Sequence, residues 1–168
     1  MVIEYDRWKW HTEGAFPKDR LPEQGYVHIG MYIAWLIRHD MLDPAWVARS
    51  GVKRAVAAVT DGSETATALR DMTDGALTSD MLTADGMAFT SAYYAPEYGY
   101  PRDWRRVFGR RADKYDVSDE WGTYERIAPV IERRHEEWVA EGKPELLQMP
   151  NMVPNWLAFW RWMPRRTR

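Results

Sequence analysis

The sequence predicts a mainly α, compact single-domain fold with an irregular N-terminal segment and at most minor β structure. Three observations predict it. Apolar residues recur at helical spacing over residues 26–39. They do so again over 119–141, and the stretch between them carries repeated helix-start signals such as Asp43-Pro44 and Thr83-Ala84-Asp85.

Residues 4–25 read as irregular, because Gly14, Pro17, Pro22 and Gly25 interrupt any apolar period. Tyr5, Trp8, Trp10 and Phe16 fall in this stretch, so it is expected to be packed on the body. Over 26–39, Ile29, Ile33, Leu36 and Ile37 form a stripe widened by Tyr32 and Trp35, which predicts a central helix. Asp43 as cap and Pro44 at the first position predict a short helix ending near Gly51. Residues 52–60 fit helix or strand. Ser63 ahead of Thr65, Ala66, Ala68, Leu69 and Met72 suggests a capped helix over 63–73, and Thr83 caps another running to about Tyr94. Asp103 to Phe108 reads as one helical turn, and Tyr115-Asp116-Val117 as extended chain. In the 119–141 helix, Trp121, Tyr124, Ile127, Ile131, His135 and Trp138 keep the spacing, and Pro129 predicts a kink. This helix and 26–39 should pack through Ile29, Ile33, Leu36, Ile127, Ile131 and Trp138.

Residues 1–145 are expected to form the domain, and 146–168 a Trp/Arg-rich tail. In the tail, Pro154 opens a segment in which Trp156, Phe159, Trp160 and Met163 share one helical stripe, followed by Pro164 and arginines. That predicts a short docking helix.

Composition narrows the function classes. The chain has 168 residues and no cysteine, so disulfides and thiolate metal sites are excluded. No signal peptide is read at the N-terminus and no stretch approaches the ~20 apolar residues of a membrane span, so the expected location is cytoplasmic. Weak surface binding by the tail is the most a membrane would receive. With 19 basic against 25 acidic residues, positions 1–145 carry −6, while the tail carries four arginines and no acid. A body of that sign gives no reason to expect nucleic acid.

Few residues suggest chemistry. His28 and His39 lie at the two ends of the 26–39 helix, roughly 16 Å apart, too far to share a metal ion. Glu132-x-x-His135 is a single copy of a motif that di-iron bundles use twice. No Gly-x-Ser-x-Gly elbow and no phosphate loop occurs. No catalytic residue, cofactor or metal is therefore expected. A stoichiometric transition metal on the purified protein would overturn that and point to His11, His28 and His135.

The most distinctive pattern is N-terminal. It runs Tyr5-Asp6, Trp10-His11, Gly14, Phe16-Pro17, Leu21-Pro22, His28-Ile29-Gly30-Met31 and Ala34-Trp35. Leu82-Thr83, Gly86, Phe89 and Ala92-Tyr93-Tyr94 follow, then Tyr124 to Trp138 with Pro129-Val130-Ile131 and Arg133-Arg134. Over residues 4 to about 140 this resembles an uncharacterised family of small bacterial cytosolic proteins, a domain of unknown function. Two departures stand out: Arg7-Trp8-Lys9, where the family has small or acidic residues, and the Trp/Arg tail. The family supplies no activity. By analogy of size and charge alone, its members resemble immunity proteins that neutralise toxins.

Two functions are therefore expected to compete. The first is a binding protein, immunity- or antitoxin-like, that meets a basic toxin or similar protein partner through Trp10, His11, Glu13, His28, Tyr32, Trp35, His39, Trp156, Trp160 and Arg161. The second is a small hydrolase or ligand-binding enzyme with a cleft around His11, Glu13, His28 and His39. A perturbed titratable cluster at the base of a pocket would favour the second, and a broad acidic, aromatic surface the first.

Overall fold

The computed structural model describes residues 1–13, 16–109 and 115–147. Its centre is helix α2, Val27–Arg38, in which every residue from Val27 to Ile37 is buried. A helix covered on all sides must be surrounded by other elements, and it is. The long helix α7, Trp121–Ala140, lies along it, and helix α4, Val52–Asp61, packs on it as well. The two long helices pack on each other, and Ile29, Ile33, Leu36, Ile127, Ile131 and Trp138 are all fully buried. Ile33→Ala should accordingly lower unfolding stability by about 2–5 kcal/mol. Denaturant titration checks this, and a loss below ~0.5 kcal/mol would contradict it.

Helix α7 continues through Pro129. Around α2 stand α3 (Pro44–Val47), α5 (Ala84–Phe89) and α6 (Tyr100–Phe108). The capping signals hold: Asp43 Oδ1 accepts from the amides of Ala45 and Trp46, both at 2.9 Å, and Thr83 Oγ1 accepts from Gly86 N at 3.1 Å. Helix α5 runs on into a π-type turn, Thr90–Tyr94, as far as expected. Helix α6 is longer than the single turn read from sequence, because Pro101 serves its first turn.

One open reading is settled and two need correction. Residues 52–60 are helix, set off by Gly51 and Gly62, both at positive φ. Residues 63–73 are not one capped helix. The Ser63 hydroxyl bonds backward to Ala58 O, and two 3-10 turns follow, Ala66–Leu69 and Asp71–Thr73. Tyr115-Asp116-Val117 is a turn rather than a strand.

The N-terminal segment is more ordered than its punctuation suggests. Glu4–Arg7 forms strand β1, Trp8–Thr12 helix α1, and Pro22–Tyr26 a 3-10 turn. β1 pairs antiparallel with β2, Ala76–Thr78, and the register slips between Glu4 and Asp6. Such a bulge re-aims the neighbouring side chain, and Asp6 is the buried residue of the strand. Directly after β1, Trp8 N donates to Gly75 O at 2.8 Å. Gly75 has φ 66°, and a Cβ there would fall 1.8 Å from the Trp8 ring, so only glycine lets β1 and α1 close onto this corner. Tyr5 and Trp8 thus pack against the core as their aromatic character implied, whereas Trp10 is exposed. The expected docking helix, with Trp156, Trp160 and Arg161, lies outside the described residues.

Candidate functional site

Three elements meet at Asp6. Strand β1 supplies Asp6, helix α1 supplies His11 one helical turn later, and the first turn of α2 supplies His28. His11 Nε2 lies 2.6 Å from Asp6 Oδ1, and His28 Nε2 lies 3.1 Å from Asp6 Oδ2. An ionised carboxylate only accepts, so both imidazoles donate to it. Tyr94 Oη donates to Oδ2 at 2.7 Å, and the Arg7 amide to Oδ1 at 2.8 Å. One buried carboxylate therefore gathers four donors. The two imidazoles meet edge to face, with centroids 4.6 Å apart.

Burial alone would push the Asp6 carboxyl up. The hydrogen bonds and charge of His11 and His28 outweigh that, and the group is held well below the usual carboxylate range. Tyr94 goes the other way: burial, then the Asp6 charge, push its phenol far above the ordinary value, so it remains a donor. Tyr100 is buried beside it, stacked at 4.9 Å, and ties His28 in place through a 2.8 Å bond to the His28 carbonyl.

The cluster forms the base of a partly enclosed cavity of about 160 Å³, closed by Glu97, Tyr100, Pro101, Trp104 and Arg105. Trp104 is 3% exposed, and its Nε1–H has no partner among the described residues. Glu97 and Arg105 also border a shallower basin of about 660 Å³ lined by Tyr98, Arg102 and Arg106. The mouth of an otherwise acidic domain is thus rimmed with guanidinium groups.

A second histidine pair lies elsewhere. His39 is stacked on Trp35 at 3.9 Å, its Nδ1 donates to Trp35 O at 2.8 Å, and its Nε2 meets Glu132 Oε2 at 2.5 Å. His135 completes this group, 6.4 Å from His39 and edge-on to Trp35. Burial lowers its pKa. The Glu132-x-x-His135 sequence therefore serves an aromatic seam between α2 and α7. Among the described residues, the one set of three groups spaced to hold a metal ion is Asp6, His11 and His28.

These positions divide the residues expected from sequence. His11 and His28 come together, but His39 belongs to the other group, so the expected four-residue cleft does not form. Glu13 is exposed and makes no bond to the cluster. Tyr32 and Trp35 are 0% and 1% exposed and present no surface to a partner, because α2 is covered all round. Trp10 is 54% exposed. Sequence reasoning missed Asp6, Tyr94, Trp104 and Arg105 as site residues. Asp6 stood in the N-terminal pattern, yet a lone acid carries no spacing signal.

A wider groove of about 640 Å³ runs between the 3-10 turn at 22–26 and residues 64–70. Its polar groups already serve the fold: Thr65 and Thr67 bond Asp119, and Arg70 pairs with Glu23 and Asp71. No helix among the described residues is long and apolar enough to cross a membrane. A family model described as a domain of unknown function (DUF7832) matches residues 4–117, a span that holds the whole Asp6 cluster. No curated protein and no solved structure matches the chain.

Proposed function

The chain belongs to that family of unknown function, and from this premise we propose that it is a small enzyme, a hydrolase of small anionic substrates, working in the cavity over Asp6. The observation that supports this is the convergence of two imidazoles on one buried, strongly acidic carboxylate at the base of a cavity. Perturbed titratable groups in a cleft are the physical signature of a site built for chemistry.

The cavity is small. It takes one functional group of about benzene's size, with the rest of a substrate lying in the basin outside. Arg102, Arg105 and Arg106 favour a carboxylate or phosphate there, since guanidinium groups match such oxyanions. The buried Trp104 Nε1–H is a further donor at the wall. His11, on the short α1 helix, lines the cavity and borders the space a bound group would occupy.

Calorimetric titration with inorganic phosphate and turnover of a p-nitrophenyl phosphate or ester panel test this. Wild type should bind or turn over at least one anionic probe. Arg105→Ala should weaken the binding about tenfold, the effect of one charge-assisted contact, and His11→Ala should abolish turnover. Indifference of every probe to both changes would contradict it.

A second reading, a protein-binding role of the immunity or antitoxin kind, is favoured by one observation: Trp10 stands out from α1 with Ile3 and Leu21 also exposed. It draws nothing from Tyr32 and Trp35.

A further inference from the structure

We infer that Asp6, His11 and His28 bind a divalent first-row transition-metal ion, with Zn²⁺ the natural probe, at the base of the cavity. This deepens the hydrolase reading and rests on it for the ion's role, though not for the ion's binding.

The donor set comes first. Two imidazole nitrogens and a carboxylate, with no thiol anywhere in the chain, make an N₂O site. Nitrogen donors of this kind select Zn²⁺, Fe²⁺ or Co²⁺ over Mg²⁺ and Ca²⁺, which take oxygen. Geometry follows. Donors held at roughly 2.1 Å from one ion lie about 3.4 Å apart in a tetrahedral arrangement. One ligand atom from each of the three groups lies within 4.8 Å of the others, and the His11 and His28 Nε2 atoms lie 2.6 and 3.1 Å from the two separate oxygens of Asp6. Slight spreading of the imidazoles admits the ion. An imidazole ligates through an unprotonated nitrogen, so each Nε2 proton that points at the carboxylate must leave or move to Nδ1 as the ion enters.

Outer bonds fix the carboxylate and the backbone of one histidine. Ligands must be held by outer bonds. Tyr94 and the Arg7 amide hold the Asp6 carboxylate, Tyr100 holds the His28 backbone, and a strand, a helix and a second helix fix the three ligands separately. Three protein ligands also leave at least one position open, and the cavity lies there. Bound there, the ion would polarise an anionic group held by Arg105 and lower the pKa of a water beside it. Spacing along the chain conceals the set, since Asp6, His11 and His28 follow no metal motif and meet only because β1 turns directly into α1.

The full chain, stripped with chelator and dialysed, is titrated with Co²⁺ and read by its visible d–d absorption, then with Zn²⁺ by calorimetry. One equivalent should bind, with Zn²⁺ displacing the Co²⁺ spectrum. His28→Ala and His11→Ala should each weaken binding at least tenfold, while His39→Ala and His135→Ala leave it unchanged. Where His28→Ala fails to fold, His11→Ala decides alone, since His11 lies on a five-residue helix with no buried residue. Absence of a Co²⁺ spectrum, or binding indifferent to His11→Ala, overturns the site. Phosphate titration in the presence of chelator separates the two proposals. Phosphate binding sensitive to Arg105→Ala without any metal binding sinks the metal and keeps the cavity. Metal binding with no anion effect keeps the metal and sinks the substrate class.

Discussion

Arg134→Met should lower the unfolding free energy by about 3–5 kcal/mol, the usual cost of stranding a buried charge. Arg134 on α7 and Asp103 on α6 are 4% and 1% exposed. Arg134 Nε donates to Asp103 Oδ2 at 2.8 Å and its Nη2 reaches Oδ1 at 3.4 Å, while Nη1 meets Glu137 at 2.7 Å. Burial works against the guanidinium's charge, but the two carboxylates outweigh it and raise its pKa further. Methionine fills similar volume and keeps helix propensity, so the change isolates the charge. The Asp103 carboxylate would then retain only the Tyr93 hydroxyl at 3.3 Å and the Arg106 contact. Adding Asp103→Asn should restore a large part of the loss, because removing both charges removes the stranded one. Urea denaturation of the two single variants and the double variant checks this. A loss below ~1 kcal/mol for Arg134→Met would mean the pair is solvated in solution. The pair also matters to the cavity, because α6 carries Tyr100, Trp104 and Arg105.

Asp6→Ala should be nearly as costly, about 2–6 kcal/mol, while Tyr94→Phe should cost only about 1–3. The asymmetry follows from the bonds. Removing the carboxylate leaves the buried Tyr94 hydroxyl and His28 imidazole without the acceptor they share, at about 1–3 kcal/mol for each stranded donor. Removing the Tyr94 hydroxyl deletes one donor of four, and the carboxylate keeps His11, His28 and the Arg7 amide. Thermal and urea unfolding of both variants distinguish the cases. Equal losses would show that Asp6 does not organise the cluster.

Much of the helical frame was readable because it obeys long-range periodicity. Helices α2 and α7 each repeat apolar residues over three or more turns, and their contact residues follow from that. The caps at Asp43 and Thr83 were readable because a side-chain acceptor beside a helix start has a local physical reason. The N-terminal corner was not. A four-residue strand pairing with three residues some seventy positions away has no period of its own, and β1 exists because β2, Gly75 and α2 are there to receive it. The same fact hid the site. Along the sequence His28 pairs with His39, its neighbour on one helix. The fold matches it instead with Asp6 from β1 and gives His39 to His135 on α7. Tyr32 and Trp35 misled for a related reason: on a helix buried on every side, an aromatic stripe marks core rather than surface.

The four histidines of the chain thus fall into two separate pairs, and one measurement asks which pair works. Long-range ¹H–¹⁵N correlation spectra resolve each imidazole of the full chain while one equivalent of Zn²⁺, and then inorganic phosphate, is added. The His11 and His28 ring nitrogens should shift together on both additions, while His39 and His135 remain in place. Movement of His39 and His135 with His11 and His28 unchanged, or no response from His11 and His28 to either probe, would contradict it.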